Sequence, residues 1–164
     1  MSIATPYQET IRRNPWHTIP ARVMEIVEEL PGISTYRLQI DVPLGPDGYH
    51  YLPGQFNMLY IPGVGEVAIS ISGDPADTTG LLHTIRIAGN VTHSIAQLKV
   101  GDTLGLRGPF GVPWPVEKFH GNDLIIVAGG VGLAPVRPII YSILRERRNS
   151  EMCGCCAAHE LRRD

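Results

Sequence analysis

The sequence has little cysteine, no excess of either charge and no long apolar run, and each shortage removes a class of protein. Only three cysteines occur, Cys153, Cys155 and Cys156, crowded at the C-terminal end. Such crowding does not resemble the spaced framework of a secreted disulfide scaffold. Lys and Arg number 14 against 16 Asp and Glu, with a pI near 6.3, so there is no electrostatic footprint for nucleic acid or an anionic membrane. The opening residues, MSIATPYQETIRRNPWHTIP, lack the apolar core of a signal peptide, and no stretch approaches the ~20 apolar residues of a membrane span. A cytoplasmic chain with no nucleic-acid partner and no membrane span is expected.

An apolar content of 43% in 164 residues is enough for a real core. Short strands follow one another: PARVMEIVEEL to Leu30, STYRLQI from Ser34, QFNMLYIP, EVAISIS, LLHTIRIA and DTLGLRG. Turn signals separate them, among them Pro31-Gly32, GPDG at Gly45 to Gly48, Pro62-Gly63 and Gly101-Asp102. Six such strands at this spacing predict an antiparallel sandwich or barrel. Between the fifth and sixth, VTHSIAQLKVGD reads as a short helix, with Thr92 as N-cap and Ile95 and Leu98 turned inward.

After GPFGVPWP the pattern changes. DLIIVA reads as a buried strand, and the helix after it places Val136, Ile139, Ile140, Ile143 and Leu144 on one stripe, the start of a parallel α/β unit. A domain boundary falls between Pro115 and Gly121. In the connecting AGGVGLAP, the missing Cβ atoms of Gly129, Gly130 and Gly132 let backbone N–H groups approach a pyrophosphate, and the helix start adds partial positive charge. Glycines also permit close helix–strand packing, and the order Gly-Gly-x-Gly-x-Ala-Pro is not the common dinucleotide fingerprint. The loop alone leaves both roles open.

Context narrows the choice. EVAISIS, then HTIRIAGNVTHSIAQLKVGDTLGLRGPFG, then VAGGVGLAPVRP together resemble the ferredoxin reductase-type flavoproteins, in which a six-stranded FAD barrel precedes a nicotinamide-nucleotide domain. The electron-transfer subunits of that superfamily are the nearest in look: the gamma subunit of Ni/Fe hydrogenase or sulfhydrogenase, the anaerobic sulfite reductase subunit and the flavin subunit of dihydroorotate dehydrogenase. The resemblance covers roughly Pro20 to Arg148.

It implies a fold and a site. The fold would be an all-β six-stranded antiparallel barrel, followed by the first β-α unit of an α/β nucleotide-binding domain. The division would be a 1–19 extension, a 20–115 FAD barrel, a 121–148 incomplete NAD(P)-binding domain and a 149–164 aberrant tail. The family's Arg-x-Tyr-Ser segment would be Val67-Ala68-Ile69-Ser70, with Ser70 donating near the flavin ring, Ile69 packing on it, and Val67 standing where an arginine would pair with phosphate. Arg86, or the backbone of Thr84, Ile85 and Arg86, would compensate, and the N–H groups of Val91 and Thr92 would lie against the pyrophosphate. Gly129, Gly130, Gly132, Ala134 and Pro135 would belong to the nucleotide loop, whereas Pro53 and Gly54 are read as structural.

The implied function is flavin-dependent electron transfer between NAD(P)H, FAD and an iron–sulfur or hydrogenase-type partner subunit, the cofactor carrying the chemistry. No catalytic acid, nucleophile or metal ligand is expected; His17, His50, His83, His93 and His120 are read as surface or turn residues. A flavin-free docking module or an inactive fragment is the alternative. The tail has two readings. Cys153, Cys155, Cys156 and His159 could ligate zinc or a cluster, but Cys-x-Cys-Cys lacks the spacing of either. A shifted reading frame accounts for more, because a one-base shift permits Val-Arg-Leu-Leu-Cys-Gly-Ala-Arg-Thr, which resembles the family's second nucleotide-domain strand. With that domain incomplete, poor NAD(P)H affinity is expected, and Ile125 and Val127 are expected either to fold back on the barrel or to leave an exposed apolar patch.

Overall fold

The computed structural model describes residues 16–42, 48–119 and 124–152. The extension before Trp16, most of the GPDG turn, His120 and the cysteine tail lie outside the described residues. Alternation of apolar and polar side chains builds the sheet. Strand β1 (Ile19–Leu30) buries Ile19, Ala21 and Val23 and turns Pro20, Arg22 and Met24 outward. Strands β2 (Ile33–Ile40), β3 (Phe56–Ile61), β4 (Gly65–Ser70), β5 (Leu81–Arg86) and β6 (Thr103–Phe110) follow, all close to their expected places.

These strands form one sheet in the order β4-β3-β6-β1-β2-β5, and every neighbouring pair is antiparallel. A register shift between Val23 and Glu25 puts a bulge in β1, where an unpaired residue bends the strand and helps the sheet coil. The outer strands β4 and β5 meet across a seam without a ladder. There the Ser72 N–H donates to the Leu82 carbonyl at 2.8 Å, and His83 Nδ1 lies 3.1 Å from the Ser70 carbonyl oxygen. The result is a barrel-like sheet whose last seam is held by separate hydrogen bonds. Leu38, Leu59, Leu104 and Leu106 fill its interior, each such burial being worth about 1.5–3 kcal/mol.

Helix α1 (Asn90–Ile95) lies between β5 and β6 and caps the barrel with Ile95, which is fully buried. Its N-cap is Gly89, not Thr92. Thr92 sits at the third helical position, and its hydroxyl reaches back to accept from the N–H groups of Ala88 and Gly89, both at 2.9 Å. A side chain one turn inside can hold the chain entry as well as a cap residue does.

Past the barrel the expected buried strand is not formed. Residues 124–129 run without ladder pairing, and Ile125 and Val127 are 86% and 90% exposed. A parallel strand needs a neighbour to pair with and helices on both faces, and the described residues provide neither. Of the two outcomes expected there, the exposed apolar patch is the one present. Helix α2 (Leu133–Met152) does form, but the residues it buries are Ala134, Pro138 and Ile139, while Leu144 of the expected stripe is half exposed. An ion pair between Arg145 and Asp74 ties the helix to the loop after β4. Burial alone would raise the Asp74 pKa; the guanidinium and the Ala76 N–H outweigh it and hold the carboxyl below its usual range.

Two glycines are dictated by space. An added Cβ at Gly54 (φ +95°) would sit 2.5 Å from the Trp114 ring, which agrees with a structural Pro53-Gly54 turn. At Gly108 (φ +146°) it would collide with the Asn57 amide oxygen. Gly108→Ala is therefore expected to destabilise the barrel by about 2 kcal/mol. The check is urea unfolding: a lower midpoint at unchanged slope is the expected result.

Candidate functional site

The seam between β4 and β5 gathers the polar groups of the barrel. Strand β4 is a sheet edge, paired with β3 alone, so its outer backbone is free to face a ligand or another element. Its start lies under helix α1: a Cβ on Gly65 would be 3.6 Å from a Val91 methyl. Its end, Ser70, is held from inside the barrel.

That hold is a directional chain. The Tyr49 hydroxyl donates to Asn57 Oδ1 at 2.6 Å, Asn57 Nδ2 lies 3.3 Å from His83 Nε2, and His83 Nδ1 lies 3.1 Å from the Ser70 carbonyl oxygen. A carbonyl oxygen only accepts, so the ring carries its proton on Nδ1. Nε2 then accepts from the Asn57 amide. Asn57 and His83 are both fully buried. Burial pushes the His83 pKa down to about 4, against the opposing pull of the Ser70 and Ile69 carbonyls, so the ring is neutral.

A second chain lies beside it. Thr35 Oγ1 donates to Glu29 at 2.7 Å, and Thr84 Oγ1 lies 2.8 Å from Thr35 Oγ1 and 3.2 Å from Ser72 Oγ. With the Thr35 proton on the carboxylate, Thr84 donates to Thr35 and Ser72 donates to Thr84. Thr84 also lines a groove of about 410 Å³ that runs to the glycine loop, with Ile33, Gly130, Val131, Ala134 and Arg137 among its walls. In that loop Gly129 and Gly130 are exposed, Gly130 has φ +54°, and a Cβ on Gly129, Gly130 or Gly132 would meet nothing within 4 Å. The loop presents open backbone.

The structure thus brings three of the expected residues, Thr84, Gly130 and Ala134, to one groove. Val67, Ala68, Ile69 and Ser70 lie along the β4 edge, with Val67 and Ile69 packed on the core. Ile85 is buried in the core, so only its backbone is available, while Arg86 is exposed at the end of β5. Pro135 is half-buried in the first turn of α2. On β4 the charged residue is Glu66, which pairs with Arg107 of β6; that hydrogen-bonded guanidinium lowers the Glu66 pKa. Among the described residues no group of three His, Cys, Asp or Glu could hold a metal ion, and no helix is long and apolar enough to cross a membrane.

Known proteins resemble this chain in sequence and in fold. The probable dihydroorotate dehydrogenase B (NAD+) electron transfer subunit of Methanocella arvoryzae is 39% identical over 121 residues, 74% of this chain and 42% of its own length. Sulfhydrogenase 1 subunit gamma of Pyrococcus furiosus is 35% identical over 134 residues, 82% of this chain and 46% of its own length. The chain is a homologue of these two subunits, the first of them an electron transfer subunit. It spans less than half the length of either. No protein-family model matches it. Among solved structures, the Amycolatopsis cytochrome P450 reductase superposes with a TM-score of 0.68 at 24% identity, over 80% of this chain and 40% of that one. A ferredoxin NADP+ reductase from Neisseria gonorrhoeae with bound FAD and NADP gives 0.64 at 24% identity, over 79% and 53%. These likenesses show the ferredoxin reductase-type fold.

In this electron-transfer subunit homologue the residue that sequence reasoning misplaced is His83. It is no surface residue but lies fully inside the barrel; His17, His50 and His93 are exposed as expected. The signal was available in the alternation of β5, where Leu81, His83 and Ile85 share the inward face. The neutral ring has a consequence for stability. Its pKa is about 4 folded against 6.5 free, so unfolding takes up a proton between those values. The folded state has its full stability from this site above pH 6.5 and loses it as the pH falls toward 4; the facing groups, an amide and a carbonyl, do not titrate there. Urea titrations across this window are expected to show falling midpoints, and a flatter profile for His83→Leu.

Proposed function

We propose that this chain is the flavin-binding part of an electron-transfer oxidoreductase subunit, holding FAD along the β4 edge and passing electrons between NAD(P)H and an iron–sulfur partner subunit. The single observation that carries the reading is the groove that joins Thr84, on the strand facing the Ser70 end of β4 across the seam, to the glycine loop, in a chain homologous to an electron-transfer subunit. Residues 20–115 are the flavin barrel in this reading, and 121–148 open the nucleotide domain.

The residues present fit the cofactor. Gly89 precedes a helix start whose first N–H groups have no intrahelical partners, at Asn90, Val91 and Thr92, and such groups receive phosphate oxygens. Arg86, exposed three residues before Gly89, supplies the positive charge that Val67 does not. Ala68 gives the ring an exposed apolar position on the strand edge and Ile69 a half-buried one whose side chain also packs on the core, and the Ser70 hydroxyl offers it a donor. The exposed backbone of Gly129 and Gly130 is the surface for the second nucleotide, with Gly132 closing the turn by giving its N–H to the Gly129 carbonyl at 3.0 Å. Bound flavin supplies the exchange between two-electron and one-electron carriers; the protein orients it and excludes water.

Ser70→Ala is expected to weaken FAD binding roughly three- to tenfold, the worth of one net hydrogen bond, with the barrel unchanged by circular dichroism. The test of the whole reading is an anaerobic visible spectrum of the purified, FAD-supplemented protein before and after NADH. A bound flavin that bleaches supports the full proposal. One reduced by dithionite alone supports the flavin part and overturns nicotinamide reduction by this chain. A protein that stays colourless overturns both and favours a docking module.

A further inference from the structure

We infer that His83 is the positioning residue for the flavin-facing end of β4: from inside the barrel it fixes the Ser70 backbone across the unladdered seam, and with it the hydroxyl offered to the cofactor. The inference rests on the flavin reading above and adds to it a residue that touches no ligand.

Four observations carry it. Strand β4 has a ladder with β3 on one side only, so nothing regular sets its distance from β5. The seam is bridged near Ser70 by the Ser72 N–H to Leu82 carbonyl bond, the Ser72 Oγ to Thr84 Oγ1 bond and the His83 Nδ1 to Ser70 carbonyl bond, and of these the last lands on Ser70 itself. The ring is not free to turn, because Nε2 faces Asn57 Nδ2 at 3.3 Å and Asn57 is in turn held by the Tyr49 hydroxyl at 2.6 Å. Space for this amide is kept by Gly108, where any Cβ would strike its oxygen. A buried ring with both nitrogens committed has one orientation and one tautomer, and it transmits that to the carbonyl it holds.

The first test uses the protein unchanged. Long-range ¹H–¹⁵N spectra of the apo protein at neutral pH are expected to show the His83 ring neutral with its proton on Nδ1; a proton on Nε2, or a charged ring, overturns the inference. The second compares two variants. In His83→Asn the side-chain amide stands where Nδ1 was and still donates to the Ser70 carbonyl, whereas His83→Leu fills the space and cannot donate. If the role were packing alone, leucine would be the better tolerated. We expect the reverse at the site: FAD binding about tenfold weaker in His83→Leu, the worth of one net hydrogen bond, with asparagine recovering most of it. In the apo proteins, amide exchange at Ser72 is expected to rise in His83→Leu and to stay near wild type in His83→Asn. Equal FAD affinity and equal exchange in the two variants would overturn the positioning role. If the unchanged protein binds no FAD, the flavin reading fails by itself, and the tautomer and exchange measurements still decide whether His83 holds Ser70.

Discussion

A sheet of six strands has two edges, and what becomes of the unpaired N–H and C=O groups along them decides the rest of this molecule. Strands β4 and β5 are those edges. They are brought together by coiling, yet they do not pair as a ladder. A few bonds span the gap, from Ser72 to Leu82 and from His83 to Ser70. This leaves the β4 backbone accessible while the barrel still encloses its core. Both the opening and the enclosure are needed for a site built on the wall of a small barrel.

Polar groups inside such a barrel have to be satisfied one by one, because each left unpaired costs as much as a hydrogen bond gains several times over. Asn57, His83, Thr35 and Ser72 meet that demand through two chains whose donor and acceptor directions are set by the groups at their ends, the Ser70 carbonyl in one and the Glu29 carboxylate in the other. Tyr51 shows the contrast. Its hydroxyl is buried with no partner among the described residues, and burial pushes its pKa up. The satisfied chains converge on the seam, and the unsatisfied hydroxyl, carried by the loop before β3, lies beside the Ser72–Leu82 bridge, where a Cβ on Gly73 would meet it at 3.1 Å.

Beyond the barrel the chain is held by fewer interactions. Helix α2 is fastened by Ala134, Pro138 and Ile139 and by the Arg145–Asp74 pair, and this places the glycine loop at the end of the groove that starts at Thr84. The segment leading into it has no sheet to join and exposes its isoleucine and valine. The same sequence pattern would suit a central parallel strand, and the chain spans less than half of its curated relatives.

Local rules were enough for much of this architecture. Period-two alternation and turn residues located all six strands within a few positions, because each strand buries one face and every other side chain reports it. The glycine loop and the β4 segment were likewise visible, since missing Cβ atoms and motif order are properties of the sequence itself. The helix start lies three residues before Thr92, whose hydroxyl suggests it as the cap, because a hydroxyl can serve a helix start from either side of it. The apolar content of Leu124 to Ala128 suits a buried strand, but apolar content registers what a segment could bury and not whether neighbours exist to bury it. Only the coiled sheet decided the role of His83. Its position on the inward face was written in the alternation of β5, but its partners, Asn57 on β3 and Ser70 on β4, lie 26 and 13 residues away along the chain. Contacts across a seam depend on how far the sheet coils before its edges meet, and that is fixed by the packing of all six strands together.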